Sequence, residues 1–425
     1  MRRAEKSFRG ELSLPGDKSI SHRVFILSSL AHGTSRVKNL LLSEDVMMTR
    51  KIMESVGLEI HGAGMEIRLH GKGPESLTEP ADVLYAGNSG TTMRIGSGLL
   101  ATIDGLSVIT GDRYLRRRPM DRIALPLSQM GATVMGRNGG RYPPLVIRGG
   151  KLKSIKYEMP TPSAQVKSAI LVAAAAGDVA AAVKEPLPTR DHTERMLINM
   201  GAKVSREGGW ITYEPGDELG PLDMAVPADF SSAAFFIVGA TITSGSEILL
   251  KNILVNPLRN GLLRVLERMG AKVQLINRHV VSGEETADMI VKSSELKGTA
   301  VERNEIPLLI DEVPILAVAA AFASGITEIR GAGELRVKES DRIASMTSQL
   351  AKLGVKIEEL PDGMVIEGSR GGFRDGEVSS FGDHRIAMAL EIFAQSAGIE
   401  ARLDDRDCIS TSFPDFYEKL RGLLS

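Results

Sequence analysis

Apolar residues along the chain recur in two kinds of segment, and each kind returns several times. The first is a helix-like segment that ends at a glycine, the residue that most readily adopts the left-handed turn closing a helix. A predicted strand, a polar turn and a second strand follow, as in residues 204–213. The closing glycines are Gly57, Gly131, Gly201, Gly270 and Gly354.

The second kind of segment is a helix rich in alanine and apolar on nearly every side, which predicts a buried and closely packed position. Examples are residues 164–176, 231–240 and 313–323. Polar or small residues open each helix, so these openings are where reactive side chains collect. The openings follow Gly16, Gly87, Pro162, Asp229, Asp311 and Asp383.

Together the two kinds of segment define about six units of roughly 65 to 85 residues, each predicted as β-α-β-α-β-β. An open solenoid of stacked units is one interpretation. Two closed domains of three units each are favoured, because the polar helix openings would then converge. The sequence therefore predicts a mixed α/β (α+β) fold of two similar domains.

The break between the predicted domains falls in a stretch with the composition of a linker. Residues 214–221 and 224–227 have this character. We predict an N-terminal domain over 14–227 and a C-terminal domain formed by 1–13 together with 228–425, with the first strand of the chain assigned to the second domain. A hinge between them would let the domains close and exclude water.

Composition restricts the classes of function. The 425 residues are 43% hydrophobic, and 52 lysines and arginines balance 53 acidic residues to a net charge of −1. No global field therefore attracts nucleic acid or an anionic membrane, and anion binding must be local. One cysteine, Cys408, and seven dispersed histidines predict neither a disulfide framework nor a metal site. The absence of a signal-like N-terminus or a membrane-length apolar run predicts a cytoplasmic enzyme.

The opening of the first helix has the character of an anion site. A rigid turn at Pro15-Gly16 leads to Lys18 and Arg23 at the start of an apolar helix. Free backbone N–H groups and the helix dipole favour a phosphate there, and the two cations add charge. A capped helix with solvated charges is the alternative. A Walker A loop is excluded, because no glycine immediately precedes Lys18.

Other openings in the first half are also neutral or cationic. Residues 87–94 form a small-residue turn that would let an anion approach the backbone, although a plain glycine-rich turn fits as well. Pro119 is expected at a helix start, which would present Arg118 to a bound anion, while other arginines of that run are expected to be solvated. Ser163 fits a simple N-cap, and Arg190 is available to an anion.

The second half of the chain is more acidic. Asp311 is predicted at the end of an apolar strand, where burial would tune it as a base, with N-capping as the alternative. Lys338 and Arg342 are spaced to share a helix face beside Glu339. A further cation pair, His384-Arg385, opens an alanine-rich helix. These groups suit a substrate with at least two anionic groups, acted on by an acid and a base between closing domains.

These motifs, in this order over essentially the whole chain, closely resemble the family of EPSP synthases, the 3-phosphoshikimate 1-carboxyvinyltransferases. The motifs are residues 15–23, 87–91, 118–120, 337–342 and 382–385. The resemblance implies two domains of three βαβαββ units with the active site in the interdomain cleft. It also implies transfer of the enolpyruvyl group of phosphoenolpyruvate to the 5-hydroxyl of shikimate 3-phosphate, without a metal or an organic cofactor.

The resemblance also implies roles for individual residues. Asp311 would remove the hydroxyl proton, and Glu339 would protonate the methylene carbon of phosphoenolpyruvate. Lys18 would serve both substrates. The implied contacts of shikimate 3-phosphate are Lys18, Ser19, Arg23, Ser163, Ala164, Gln165, Arg190, Asp311 and Lys338. The implied contacts of phosphoenolpyruvate are Lys18, Gly90, Arg118, Gln165, Arg342, His384 and Arg385.

The sequence departs from the family pattern in places. Many relatives have a lysine just before Thr-Phe-Pro near the C-terminus, and residues 410–414 lack it. Ala164 replaces a serine found in some relatives, which leaves only a backbone contact there. His384 either assists as an acid or orients a neighbour, with the second role favoured. Relatives with glycine at the position of Gly90 are typically inhibited by glyphosate, whereas alanine crowds that pocket, so the resemblance implies inhibition in the micromolar range.

Two rival functions remain open at this point. The sister enolpyruvyl transferase that acts on UDP-N-acetylglucosamine commonly has a cysteine in its acid-delivering loop, whereas Cys408 lies outside any such loop. A non-catalytic anion-binding repeat protein would release no phosphate from phosphoenolpyruvate. The partners expected of the chain are two small-molecule substrates, with no nucleic acid and no membrane, and we expect a monomer.

Overall fold

The computed structural model describes residues 6–424. Residues 1–5 and Ser425, which belong to the predicted second domain, lie outside the described residues. The chain forms two compact units. Unit 1 comprises the residues up to Leu14, Ala228–His279 and the chain from Glu285 onward. Unit 2 comprises Pro15–Pro227 and Val280–Glu284.

The described residues alternate between helices and short strands. The helices are α1 (Lys18–Ser28), α2 (Glu44–Ser55), α3 (Gly90–Leu100), α4 (Asp121–Gln129), α5 (Arg137–Gly140), α6 (Ala164–Ala176), α7 (His192–Asn199), α8 (Phe230–Ile242), α9 (Gly261–Met269), α10 (Ile306–Leu309), α11 (Val313–Ala321), α12 (Arg342–Lys352), α13 (His384–Ala397) and α14 (Phe416–Leu423). Single turns of 3-10 helix occur at Pro74–Ser76, Leu115–Arg117, Gly333–Val337 and Asp407–Thr411.

The strands are between two and ten residues long. They are β1 (Arg9–Ser13), β2 (His32–Lys38), β3 (Glu59–His61), β4 (Glu66–Lys72), β5 (Leu84–Tyr85), β6 (Leu106–Thr110), β7 (Thr133–Gly136), β8 (Tyr142–Arg148), β9 (Ile155–Glu158), β10 (Ala181–Lys184), β11 (Lys203–Glu207), β12 (Trp210–Glu214), β13 (Asp223–Ala225), β14 (Glu247–Leu254), β15 (Lys272–Val281), β16 (Glu284–Lys292), β17 (Ala300–Val301), β18 (Gly325–Ile329), β19 (Lys356–Leu360), β20 (Gly363–Gly368), β21 (Gly376–Val378) and β22 (Ala401–Leu403).

Unit 2 repeats one sheet topology. Its strands form the sheets β13-β2-β4-β3, β5-β6-β8-β7 and β11-β12-β10-β9. In the second of these, β5 runs parallel to β6, while β6 and β7 both pair antiparallel with β8. This order is what a β-α-β-α-β-β unit produces: a helix crossover joins the parallel strands, and a tight hairpin supplies the remaining strand. The first sheet takes its outer strand, β13, from the end of the unit.

Unit 1 uses the same topology twice and then varies it. The sheets are β1-β14-β16-β15, β17-β18-β20-β19 and the two-stranded pair β21-β22. The outer strand β1 comes from the beginning of the chain and pairs parallel with β14. After β22 the chain continues into a 3-10 turn and α14. Within the described residues, the last β-α-β-α-β-β repeat therefore differs from the predicted four-stranded form.

The two recurring segments of the sequence take the conformations that they predict. All five closing glycines have positive φ, between +95° and +120°, which confirms the left-handed helix ends. The alanine-rich helices are buried, and in unit 1 α8, α11 and α13 pack against one another. In unit 2, α3 packs against both α1 and α6.

The approach of α3 to α6 depends on one residue without a side chain. A Cβ at Gly98 would lie 2.2 Å from the carbonyl oxygen of Ala169 on α6. No real Cβ approaches a backbone oxygen so closely. The absence of a side chain at Gly98 therefore allows α3 and α6 to pack this closely. The helix openings of α3 and α6 are brought together as a result.

Three local expectations are corrected by the structure. The predicted apolar strand before Asp311 is wrong, because residues Ile306–Leu309 form the short helix α10. The linker predicted over 224–227 contains part of β13. Pro119 does not open a helix, because α4 begins two residues later, at Asp121. Within residues 6–424, no helix has both the length and the apolar character needed to cross a membrane.

Candidate active site

In unit 2, the opening of α1 is built as a capped helix start that is followed directly by a cation. The Asp17 carboxylate accepts a hydrogen bond from the backbone N–H of Ile20 at 2.9 Å. Lys18 is the first residue of the helix, and its Nζ lies 2.9 Å from Oδ2 of Asp45. An ammonium group has three donors, so Asp45 orients Lys18 and leaves donors for a ligand.

Arg23 ties three helices together. Its Nε donates to Oγ1 of Thr193 at 2.7 Å, and its Nη2 donates to Oγ of Ser168 at 2.8 Å. Its Nη1 donates to the carbonyl oxygen of Ser19 at 2.9 Å. Burial lowers the pKa of Arg23 to about 10, although the negative charge of Glu194 opposes the shift. Arg23 therefore remains a cation at neutral pH, and the hydroxyl groups fix its orientation.

His22 lies behind these cations and stays neutral. It is completely buried, and its Nδ1 lies 2.6 Å from Oγ1 of Thr49, which in turn lies 2.6 Å from Oγ1 of Thr92. Burial, followed by the charges of Lys18 and Arg23, lowers the pKa of His22 well below its usual value. The imidazole therefore adds no charge to the anion site.

The opening of α6 presents an amide that is held on both sides. Ser163 caps the helix, its Oγ accepting from the N–H of Val166 at 3.3 Å, which confirms the capping alternative. Oε1 of Gln165 accepts from Nη1 of Arg94 at 2.6 Å, and its Nε2 donates to Oγ1 of Thr91 at 3.0 Å. These two contacts from α3 fix which way the amide points. Ala164, the first residue of the helix, follows Ser163.

Gly90 and Arg118 meet at the start of α3. Gly90 is the first residue of that helix, and a Cβ built on it would lie 2.9 Å from Cζ and both Nη atoms of Arg118. Nη1 of Arg118 also donates to the carbonyl oxygen of Asn88 at 3.4 Å. Arg118 therefore lies at the N-terminus of α3. The position of Pro119 had predicted that Arg118 would lie at the N-terminus of α4. A guanidinium beside free helix N–H groups is a strong anion site.

In unit 1, the side chain of Arg342 binds both carboxylates that the sequence predicted for the site. Its Nη2 donates to Oε2 of Glu339 at 2.7 Å, and its Nη1 donates to Oδ1 of Asp311 at 3.3 Å. Its Nε donates to Oδ2 of Asp383 at 2.8 Å. Burial alone would lower the pKa of Arg342, but the three carboxylates outweigh it and raise the pKa above its ordinary value. The guanidinium is a permanent cation at the centre of this cluster.

Lys338 completes the surroundings of Asp311. Its Nζ lies 3.6 Å from Oδ1 of Asp311. The predicted shared helix face of Lys338 and Arg342 is wrong, because α12 begins at Arg342 and Lys338 precedes it. Both cations nevertheless converge on one carboxylate oxygen. The capping alternative for Asp311 is also wrong, because the residue at the cap of α11 is Glu312.

The opening of α13 supplies the remaining predicted cations. Asp383 caps the helix, accepting from the N–H of Arg385 at 2.9 Å. Burial acts to raise the pKa of Asp383, but the charge of Arg342 prevails and holds it below its usual range. Nη1 of Arg385 donates to the carbonyl oxygen of Asp311 at 3.0 Å, and His384 is buried beside it at the helix start.

Several supporting residues escaped the sequence analysis. Thr193 and Ser168 orient Arg23 from positions more than 140 residues away, and Asp45 orients Lys18. The available signals were the polar stretch 87–94, which contains Arg94, and the nearby Arg190, which lies three residues before Thr193. Near the C-terminus, residues 410–414 contain no basic side chain that could stand in for the missing lysine, and Thr411 donates its hydroxyl proton to the carbonyl oxygen of Cys408.

The structure places the predicted site residues in two groups, one in each unit. Among residues 6–424, no cluster of three or more histidine, cysteine or acidic side chains is arranged to hold a metal ion. Unit 2 holds Lys18, Ser19, Arg23, Gly90, Arg118, Ser163, Ala164, Gln165 and Arg190. Unit 1 holds Asp311, Lys338, Glu339, Arg342, His384 and Arg385.

Comparison with known proteins decides the family. The family model of EPSP synthase, 3-phosphoshikimate 1-carboxyvinyltransferase, matches residues 3–420. The chain belongs to the EPSP synthase family. It is 49% identical over 419 residues to 3-phosphoshikimate 1-carboxyvinyltransferase of Desulforudis audaxviator, covering 98% of this chain and 97% of the relative. The corresponding protein of Syntrophomonas wolfei is 46% identical over 422 residues, with 99% of each chain covered.

Solved structures agree with this family assignment. The structure of EPSP synthase from Acinetobacter baumannii superimposes with a TM-score of 0.88 at 42% identity, covering 100% of this chain and 97% of that one. The enolpyruvyl transferase NikO from Streptomyces tendae has a TM-score of 0.78 at 15% identity, covering 99% and 96% of the two chains. The second likeness shows that the fold extends beyond the EPSP synthase family.

Proposed function

We propose that the chain transfers the enolpyruvyl group of phosphoenolpyruvate to the 5-hydroxyl of shikimate 3-phosphate, releasing inorganic phosphate. One observation carries the proposal: in a chain of this family, buried Arg342 binds the carboxylates of both Asp311 and Glu339. Two carboxylates fixed by one guanidinium are suited to an acid–base pair of stable geometry.

The chemistry assigned to this pair is an addition followed by an elimination. Asp311 accepts the proton of the 5-hydroxyl as its oxygen attacks C2 of phosphoenolpyruvate, and Glu339 gives a proton to the methylene carbon C3. The resulting tetrahedral intermediate loses phosphate as its C–O bond breaks. A proton leaves the methyl group and restores the double bond, so the carboxylates exchange protons again in the second step.

The anion-binding residues of unit 2 are assigned to the two phosphorylated substrates. The helix openings with Lys18, Arg23 and Arg118 offer charge together with free backbone N–H groups, which suits a phosphate. The proposed contacts of shikimate 3-phosphate are Lys18, Ser19, Arg23, Ser163, Ala164, Gln165, Arg190, Asp311 and Lys338. The proposed contacts of phosphoenolpyruvate are Lys18, Gly90, Arg118, Gln165, Arg342, His384 and Arg385.

We assign the shikimate 3-phosphate contacts mainly to the N-terminal domain over 14–227, and the catalytic carboxylates to the domain formed by 1–13 and 228–425. The enzyme is proposed to act in the cytoplasm as a monomer, with small molecules as its partners. Glyphosate is proposed to compete with phosphoenolpyruvate.

The proposal is tested by phosphate release from phosphoenolpyruvate with alternative acceptors. We expect release with shikimate 3-phosphate and none with UDP-N-acetylglucosamine. Release with the UDP-sugar alone would assign the chain the sister activity. No release with either acceptor would leave an anion-binding protein without this catalysis.

A further inference from the structure

A fully buried lysine lies directly beside the proposed phosphate subsite. The side chain of Lys167 on α6 is 0% exposed, and its Nζ lies 2.7 Å from Oε1 of Glu194 and 3.1 Å from Oε1 of Glu185. The carboxylate side chains are 8% and 3% exposed. Nζ also donates to the carbonyl oxygen of Thr189 at 3.3 Å. The ammonium group therefore has three oxygen partners and no access to water.

Stability gives little reason for such an arrangement. Removing an ammonium from water is costly, and replacing a buried ion pair by apolar residues of similar volume is often neutral or stabilising. From Ala169 onward the helix of Lys167 consists of alanine, valine, isoleucine and leucine, so an apolar residue would suit the position. The charge is better explained by the geometry that it imposes on its partners.

The partners of Lys167 lie along one connection and in the first turn of the helix that follows it. Residues 185–191 join β10 to α7, and this connection carries Arg190. Glu185 stands at its beginning, Thr189 directly before Arg190, and Glu194 in the first turn of α7. The ammonium therefore contacts the connection at its start and directly before Arg190, and it contacts α7, the helix that follows.

Lys167 also belongs to the helix that carries other proposed phosphate contacts. Ser163 and Gln165 lie at the opening of α6, within about one turn of Lys167. The next residue, Ser168, binds Arg23, and so does Thr193, the neighbour of Glu194. The contacts of Lys167 with Glu194 and Thr189 thus join the helix of Gln165 to α7 and to the connection of Arg190.

We propose that Lys167 is a positioning residue of the shikimate 3-phosphate subsite, whose ammonium holds Arg190 in register with Ser163 and Gln165. The inference rests on the proposed function. Lys167 touches neither substrate and acts through Arg190. Its loss should therefore weaken binding of shikimate 3-phosphate while leaving the phosphoenolpyruvate contacts at Arg118 and Arg385 in place.

A double-mutant cycle on Lys167→Met and Arg190→Ala tests this by calorimetric titration with shikimate 3-phosphate. We expect Lys167→Met alone to raise Kd by about tenfold, and by less than about twofold when Arg190→Ala is already present. The KM for phosphoenolpyruvate should change by less than about twofold. A purely structural role would lower the melting temperature and give the same Kd ratio in both backgrounds, which would overturn the proposal.

Arg206→Met is the matched control. Arg206 binds the same Glu185, at 2.6 Å from Oε2, but from the solvent side, where its own side chain is 41% exposed. Arg206 reaches Glu185 from β11 and not from α6, so its loss should leave Kd within about twofold. An equal loss of affinity in this variant would contradict a role specific to Lys167.

A second variant and the behaviour of wild type distinguish a folding defect from a loss of function. If Lys167→Met does not fold, Glu185→Gln removes one carboxylate partner and should raise Kd in the same direction, with the same loss of effect in the Arg190→Ala background. Wild-type protein that neither binds shikimate 3-phosphate nor turns it over would refute the proposed function. If wild type binds shikimate 3-phosphate and the effects of the two substitutions on the binding free energy are additive, the positioning role is refuted while the proposed function stands.

Discussion

The Nε of Arg342 donates to Oδ2 of Asp383 at 2.8 Å, and both side chains are buried. This pair orients the guanidinium, because Asp383 is itself fixed as the cap of α13 and by Ser340, whose Oγ lies 3.1 Å from Oδ2. The other nitrogens of Arg342 then point toward Asp311 and Glu339. Asp383 therefore positions, through Arg342, the carboxylates of Asp311 and Glu339, which are the proposed base and acid.

Asp383→Asn should lower kcat by about ten- to a hundredfold, since asparagine retains the helix cap but loses the charge that orients Arg342. Breaking a buried pair of this kind also costs about 3 to 5 kcal/mol of stability. Steady-state kinetics and thermal unfolding measure the two effects. A lowered melting temperature with unchanged kcat would show that Asp383 serves the fold alone.

Gly90→Ala should raise the KM for phosphoenolpyruvate by about tenfold, because the added methyl would meet the guanidinium of Arg118 at 2.9 Å and displace it. Inhibition by glyphosate should weaken in parallel, while Kd for shikimate 3-phosphate stays the same. Gly96→Ala is the matched control on the same helix, since a Cβ there meets nothing within 4 Å. Equal kinetics in both variants would remove the steric argument.

Gly98→Ala should reduce the free energy of unfolding by about 1 to 3 kcal/mol, because its Cβ would collide with the carbonyl oxygen of Ala169 and separate α3 from α6. The separation should also loosen Gln165, which is held by Thr91 and Arg94 on α3, and raise the KM values. Denaturant unfolding and kinetics check both. The Gly96→Ala control excludes a general effect of alanine in α3.

The buried neutral state of His22 predicts a pH dependence of stability. Its pKa in the folded protein lies well below 6.5, so below pH 6.5 the unfolded chain binds a proton that the folded protein does not. The contribution is complete above pH 6.5 and falls by about 1.4 kcal/mol per pH unit below it, until the folded pKa is reached. Urea unfolding of wild type and His22→Gln between pH 7 and pH 5 measures this. A variant with the same slope as wild type would contradict it.

Local signals in the sequence predicted much of the fold. The closing glycines have positive φ because nothing else closes those turns as readily, and the alanine-rich helices are buried because they have no polar face. The prediction of a strand before Asp311 was wrong, because a short apolar run has no periodicity that distinguishes a strand from a turn of buried helix. Asp341 caps α12 by accepting a hydrogen bond from the backbone N–H of Ala344, so the helix begins after it and Lys338 lies outside. The sequence analysis did not recognise this cap.

Contacts between distant segments were beyond the sequence. Nothing local indicates that Thr193 would bind Arg23, because the two residues are 170 positions apart. The same holds for Lys167, whose neighbours in sequence indicate a buried apolar helix and give no sign of two glutamates beside it. Motifs place side chains at helix openings, whereas packing of the helices decides which openings meet.

The most direct test of the central claim is phosphate release from phosphoenolpyruvate and shikimate 3-phosphate by wild type, Asp311→Asn and Glu339→Gln. The account predicts turnover by wild type and a loss of kcat by about a hundredfold or more in each variant, with binding of shikimate 3-phosphate retained in Glu339→Gln. Wild-type turnover that either variant preserves would contradict the assignment of Asp311 and Glu339 as base and acid.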